Sequence, residues 1–82
     1  MQSDQPAVTV TLYVVPSCPL CADMRERLRD RGVEFRERDV ANDFGALRAM
    51  YGLTRQSFVP VVEAGGHALV RPSDAELREL LP

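Results

Sequence analysis

Two cysteines, Cys18 and Cys21, stand two residues apart in the stretch VVPSCPLCADM, residues 14–24, of an 82-residue chain that has no others. C-x-x-C serves three chemistries. A structural zinc site needs about four ligands. His67 is the one histidine that could join the pair, so a site closes only through a second copy or an outside ligand. A purely structural disulfide between Cys18 and Cys21 closes too short a loop to constrain the unfolded chain much. A redox pair fits better. Residues three apart on the first turn of a helix share a face. Their Cα separation there is roughly 5 Å, which a disulfide can bridge. The free N–H groups and the dipole at a helix start favour a thiolate, which is the nucleophile.

Geometry then divides the labour. Cys18, nearest the helix end and the more exposed, is expected to attack a substrate disulfide and form a mixed disulfide. Cys21, one turn further in, is expected to attack Cys18 and release the reduced substrate. Pro19 rigidifies the turn, and Leu20 offers apolar contact beside the nucleophile.

The elements that must position this pair follow from hydrophobic pattern. Ala7–Val15 (AVTVTLYVV) reads as a buried strand ended by Pro16. A helix is expected from Cys18, with Pro19 in its first turn. Cys21, Met24 and Leu28 recur on its buried side, the Arg, Glu and Asp residues between them face out, and Gly32 stops it. Residues 34–40 read as a second strand, with Val33 and Phe35 supplying apolar contacts. Asn42 is expected to cap a second helix carrying Phe44, Leu47, Met50 and Tyr51 on one side and ending at Gly52. Residues 59–64 and 68–70 flank Gly65–Gly66 as a hairpin. Ser73 and Glu76 form a capping box before Leu77, Leu80 and Leu81. The order is β-α-β-α-β-β-α, an α/β arrangement whose first β-α-β gives parallel strands. One domain over residues 1–82 is expected, with an ordered core at about 7–81.

Bulk composition narrows the class. Hydrophobic residues at 45% and charged residues at 27% suit a globular domain. Ten arginines and no lysine face twelve acidic residues, without a basic block that would serve nucleic acid. The start MQSDQP lacks the layout of a signal peptide, and no apolar run could span a bilayer. A cytoplasmic protein is expected, where thiols are normally reduced. No membrane or nucleic-acid partner is expected, and the chain is expected to be a monomer.

YVVPSCPLC after a first strand, FVP before a Gly–Gly hairpin and a capped last helix together resemble the glutaredoxin family, over about residues 7–81. The resemblance implies a thioredoxin-like fold with a four-stranded mixed sheet and three helices. It implies a small thiol–disulfide oxidoreductase with Cys18 and Cys21 as the catalytic, redox-active dithiol. It implies a cis Val59–Pro60 peptide facing the cysteines, with the Val59 backbone pairing with bound substrate as an added strand would. Tyr13 and Phe58 flank the site in this reading, or serve packing alone. Glutathione users in the family commonly carry a lysine where Val15 stands, Thr-Val-Pro where Phe58-Val59-Pro60 stands, and Gly-Gly with an acidic residue before the last helix. The matching stretch here is Val70-Arg71-Pro72-Ser73-Asp74. Ser73 and Asp74 could still bind a glutathione carboxylate. Arg55 or Arg71 could replace the missing lysine. A second branch, the NrdH-type redoxins, is reduced by thioredoxin reductase and supplies ribonucleotide reductase; its aromatic-Arg-Pro-acid segment partly resembles residues 70–74.

The expected partners are therefore a disulfide-containing protein and either glutathione or an NADPH-linked thioredoxin reductase as electron source. No tightly bound cofactor and no metal is expected. The alternative from another class is a module of the same fold that holds zinc or an iron–sulfur cluster through Cys18 and reduces nothing.

Overall fold

The computed structural model describes residues 9–81. Its centre is β1 (Val10–Val14), buried along its whole length. Successive strand residues point to opposite faces, so a strand buried at every position has both faces covered. β1 lies between β2 (Phe35–Asp39), which it pairs in parallel from Val10↔Phe35 to Val14↔Asp39, and β3 (Val61–Ala64), which it pairs antiparallel with Leu12 opposite Val62. β4 (His67–Val70) completes a four-stranded sheet of order β2-β1-β3-β4. Helices α1 (Pro19–Asp30), α2 (Phe44–Thr54) and α3 (Asp74–Leu80) cover it. The expected β-α-β-α-β-β-α order and mixed sheet are present. Ala7 and Val8, part of the expected first strand, lie outside the described residues.

The core draws on every layer. Leu12, Val61 and Val62 from the sheet, Leu28 from α1, Met50 from α2 and Leu77 from α3 are fully buried. Each such aliphatic side chain stabilises the fold by roughly 1.5–3 kcal/mol relative to exposure. Asp74 ties the start of α3 to α1, with Oδ1 3.2 Å from Arg31 and 3.5 Å from Arg27. The β3–β4 turn is Gly65–Gly66, both at positive φ, as a tight hairpin requires. The Ser73–Glu76 capping box is formed in both directions. No helix among the described residues is long and apolar enough to cross a membrane.

α2 departs from the pattern in three ways. Its cap is Asp43, which accepts from the Ala46 N–H at 3.1 Å, and not Asn42. Asn42 is drawn back instead, donating through Nδ2 to Asp39 at 2.7 Å. Phe44 and Tyr51 are exposed; Ala46 and Met50, four apart, take the inner face, with Leu47 half-buried beside them. The helix also runs past Gly52 to Thr54. Arg55, at φ 58°, takes the left-handed closing position, and its N–H donates to the Tyr51 carbonyl at 2.7 Å.

Candidate functional site

β1 delivers the chain to the cysteines. After Val14 the backbone turns through Pro16 and Ser17, and Ser17 sits at φ 58°. That left-handed conformation costs a non-glycine residue roughly 1 kcal/mol, and here it swings the chain from strand into helix. Cys18 is the N-cap of α1 with extended backbone, and Pro19 is the first helical residue. The Cys18 Sγ accepts from the Cys21 N–H at 3.1 Å, the place a serine or aspartate oxygen fills in an ordinary cap. The sequence put Cys18 inside the first turn; the structure makes it the cap, which aims its sulfur at the helix N–H groups. Cys18 is half-buried and Cys21 fully buried, both as free thiols.

The two thiols are driven apart electrostatically. Burial pushes Cys18 up, but hydrogen bonds from the Cys21 side chain and from the Cys21 and Leu20 backbone, with the charge of Arg71, outweigh it. The net direction is down, toward the thiolate. Cys21 is pushed up to about 11, first by burial, then by hydrogen bonding to Cys18 and by the Cys18 charge, against the Val15 backbone and Arg25. One group is thus poised as nucleophile and its neighbour holds its proton. Iodoacetamide is therefore expected to alkylate Cys18 with a half-maximal rate at a pH below that of a free cysteine, and to leave Cys21 untouched through neutral pH. Mass mapping across a pH series reads this; equal labelling of both would contradict it.

The cis peptide expected at Val59–Pro60 is present. Arg71 holds this loop from three sides. Its Nε donates to the Val59 carbonyl at 2.8 Å, its backbone N–H to the Pro60 carbonyl at 3.0 Å, and its guanidinium lies 5.3 Å from the centre of the Phe58 ring. Leu20, Pro60 and Arg71 line one cleft of about 150 Å³ on one side of the helix start. A larger cleft of about 580 Å³ opens on the other side, with Val15, Cys18 and Pro19 in its wall. Leu20 and Phe58 are both about half exposed.

The remaining expected residues lie elsewhere. Tyr13 is buried in β1 under the Arg38 guanidinium, 5.9 Å from its ring centre, and lines neither cleft. Ser73 is engaged in the capping box and Asp74 in its ion pairs with Arg27 and Arg31. Arg55 closes α2. Among the described residues, no three His, Cys, Asp or Glu side chains are grouped to hold a metal ion.

Arg25, expected among the outward-facing charges of α1, and Glu37, which no sequence pattern singles out, line the larger cleft. Arg25 reaches Glu37 with both Nε (2.6 Å) and Nη2 (3.0 Å). The available signal was register: the parallel pairing puts Glu37 beside Leu12 on β1, so residues 37–39 run toward the cysteine turn.

Comparison with known proteins agrees with this geometry. The Glutaredoxin family model matches residues 10–69. A glutaredoxin-like 8.6 kDa protein encoded in a rubredoxin operon of Clostridium pasteurianum is 32% identical over 72 residues, covering 88% of this chain and 96% of that protein. Among solved structures, the thioredoxin-like protein BC3987 superposes with a TM-score of 0.79 at 26% identity, over 88% of this chain and 99% of that one. NrdH-redoxin from Escherichia coli, a glutaredoxin-like protein, gives 0.75 at 24% identity over 90% and 96%. The chain belongs to the glutaredoxin family of thiol–disulfide redox proteins.

Proposed function

We propose that this chain is a dithiol–disulfide oxidoreductase that reduces protein disulfides or mixed disulfides. One observation carries the reading: a half-exposed Cys18 caps α1 and accepts the Cys21 N–H, while Cys21 waits buried one turn inside. The Cys18 thiolate attacks one sulfur of the substrate disulfide. That S–S bond breaks, one substrate thiolate leaves, and a mixed disulfide remains on Cys18. Cys21 gives up its proton and attacks the Cys18 sulfur, and the second substrate thiol departs. The chain is left with a Cys18–Cys21 disulfide, and two electrons have passed to the substrate. Substrate backbone pairs with Val59 beside Pro60, and Leu20 and Phe58 give it an apolar seat.

Two electrons must then return, from glutathione or from an NADPH-linked thioredoxin reductase. Ser73 and Asp74, the candidate grip for a glutathione carboxylate, are already engaged within the fold. The Escherichia coli NrdH-redoxin is described by a thioredoxin-like activity profile. Both favour thioredoxin reductase, and ribonucleotide reductase is then a candidate recipient. NADPH oxidation with a disulfide protein as substrate tests this. Turnover is expected to be faster with thioredoxin reductase than with glutathione plus glutathione reductase. The reverse order overturns the choice of donor, and no turnover with either overturns the redox-carrier reading.

A further inference from the structure

The larger cleft beside Cys18 contains an ion pair that the mechanism above does not use. Arg25 lies four residues after Cys21, so it projects from the same side of α1 one turn on. Its guanidinium grips Glu37 of β2 with a two-point fork, and both side chains are about one-third exposed. Forked pairs of this kind are stronger and better fixed than single surface contacts. The fork thus fixes the Arg25 guanidinium on the wall of the cleft, on the same side of α1 as the buried Cys21 thiol that must ionise.

Resting on the redox reading, we propose that Arg25 is a positioning residue for the resolving step: its charge draws the proton off Cys21 once Cys18 is bonded to substrate, and Glu37 restrains that charge. Forming the mixed disulfide changes what acts on Cys21. In the free dithiol, Cys18 opposes ionisation of Cys21 through its hydrogen bond and its charge. In the mixed disulfide the Cys18 sulfur is neutral, and both influences disappear. Burial still opposes ionisation; the Val15 backbone and Arg25 favour it. Of these, Arg25 alone carries a full charge. The step balances simply. Cys21 loses its proton to solvent, and its thiolate attacks the Cys18 sulfur. The bond from Cys18 to substrate breaks as the Cys18–Cys21 bond forms. The substrate sulfur leaves with that bond's electron pair and takes a proton from solvent.

The surrounding charges leave this balance in place. On α1, Glu26 and Arg29 act on the pair but face each other at 3.7 Å. On β2, Asp39 lines the cleft but is held by the Ala41 and Asn42 N–H groups at the head of the next turn. β1 contributes no charged side chain. Arg71, beyond β4, acts on Cys18.

The test uses the full reduced chain and one equivalent of 5,5′-dithiobis(2-nitrobenzoate), followed by stopped-flow absorbance. Attack by Cys18 releases one coloured thiolate and loads Cys18 with the other half. Attack by Cys21 releases the second. Arg25→Met is expected to slow the second release roughly three- to fivefold at neutral pH and move its pH profile upward. Glu37→Gln, which keeps an acceptor for Arg25 but removes the negative charge, is expected to speed the second release and move the profile downward. Arg25→Lys restores most of the rate. The first release stays within about twofold in all three, reporting an intact fold and Cys18. Opposite shifts in the two variants support the proposal. Shifts in one direction, as loss of a merely structural ion pair would give, or no shift, overturn it. A wild-type chain that never releases the second thiolate sinks instead the redox reading beneath it.

Discussion

A Cys18→Ser variant is expected to lose disulfide reduction, by roughly a thousandfold or more, because a hydroxyl cannot stand in for a thiolate at neutral pH. The same change separates chemistry from folding unusually well. Cys18 caps α1 by accepting the Cys21 N–H, and serine is among the best residues for that position. The variant should therefore unfold at an equal or higher denaturant concentration while turning over nothing. Cys21→Ser makes the complementary case. Attack by Cys18 survives, but nothing resolves the product, so a stable mixed disulfide with substrate should accumulate and add the substrate's mass to the chain. Cys21 is fully buried, and a hydroxyl there would cost some stability, about 1–2 kcal/mol if left unpaired. Insulin reduction, intact mass and urea titration read the three effects together. Full activity in Cys18→Ser would remove this cysteine from the attacking role.

Much of the fold and of the site was legible because several local signals agree. The strand-like run before Pro16, the proline just after Cys18, Gly65–Gly66 and the Ser73–Glu76 box each fix a backbone feature within a few residues. All four are present. The misses share a different cause: tertiary competition among equally plausible side chains. Asn42 and Asp43 are both good caps, and Asp39 decides between them by taking Asn42 for its own turn. Phe44 and Tyr51 look like core residues by type, yet the face that reaches the sheet belongs to Ala46 and Met50. α1 carries three arginines, Arg25, Arg27 and Arg29, and the pairing of β1 with β2 selects Arg25 for the cleft by bringing Glu37 within its reach. Arg71 was visible as a candidate cation, but its grip on Val59, twelve residues away, is a tertiary contact made from a left-handed backbone at Arg71 itself.

Arg71→Met should lower the efficiency of disulfide reduction about tenfold, through two separable losses. Arg71 donates Nε to the Val59 carbonyl, and its guanidinium covers Phe58. Methionine keeps an apolar stem but offers neither the donor nor the charge. The Val59–Pro60 turn then loses a fixed point just where substrate backbone is proposed to pair, and KM should rise. The charge is the second loss. The Arg71 charge favours the Cys18 thiolate, alongside the hydrogen bonds from Cys21 and Leu20. Removing it raises the pH needed to ionise Cys18, so the alkylation profile should move to higher pH. Arg71→Lys divides the two: the charge remains and the profile returns toward wild type, but a single ammonium cannot reproduce the planar fork that meets both a carbonyl and a ring. Its KM should stay high. If Arg71→Met kept both the wild-type profile and the wild-type KM, the three contacts of Arg71 would be packing without consequence for the reaction. A profile that moved with an unchanged KM would leave Arg71 as a distant charge, and the hold on Val59 would not matter to substrate.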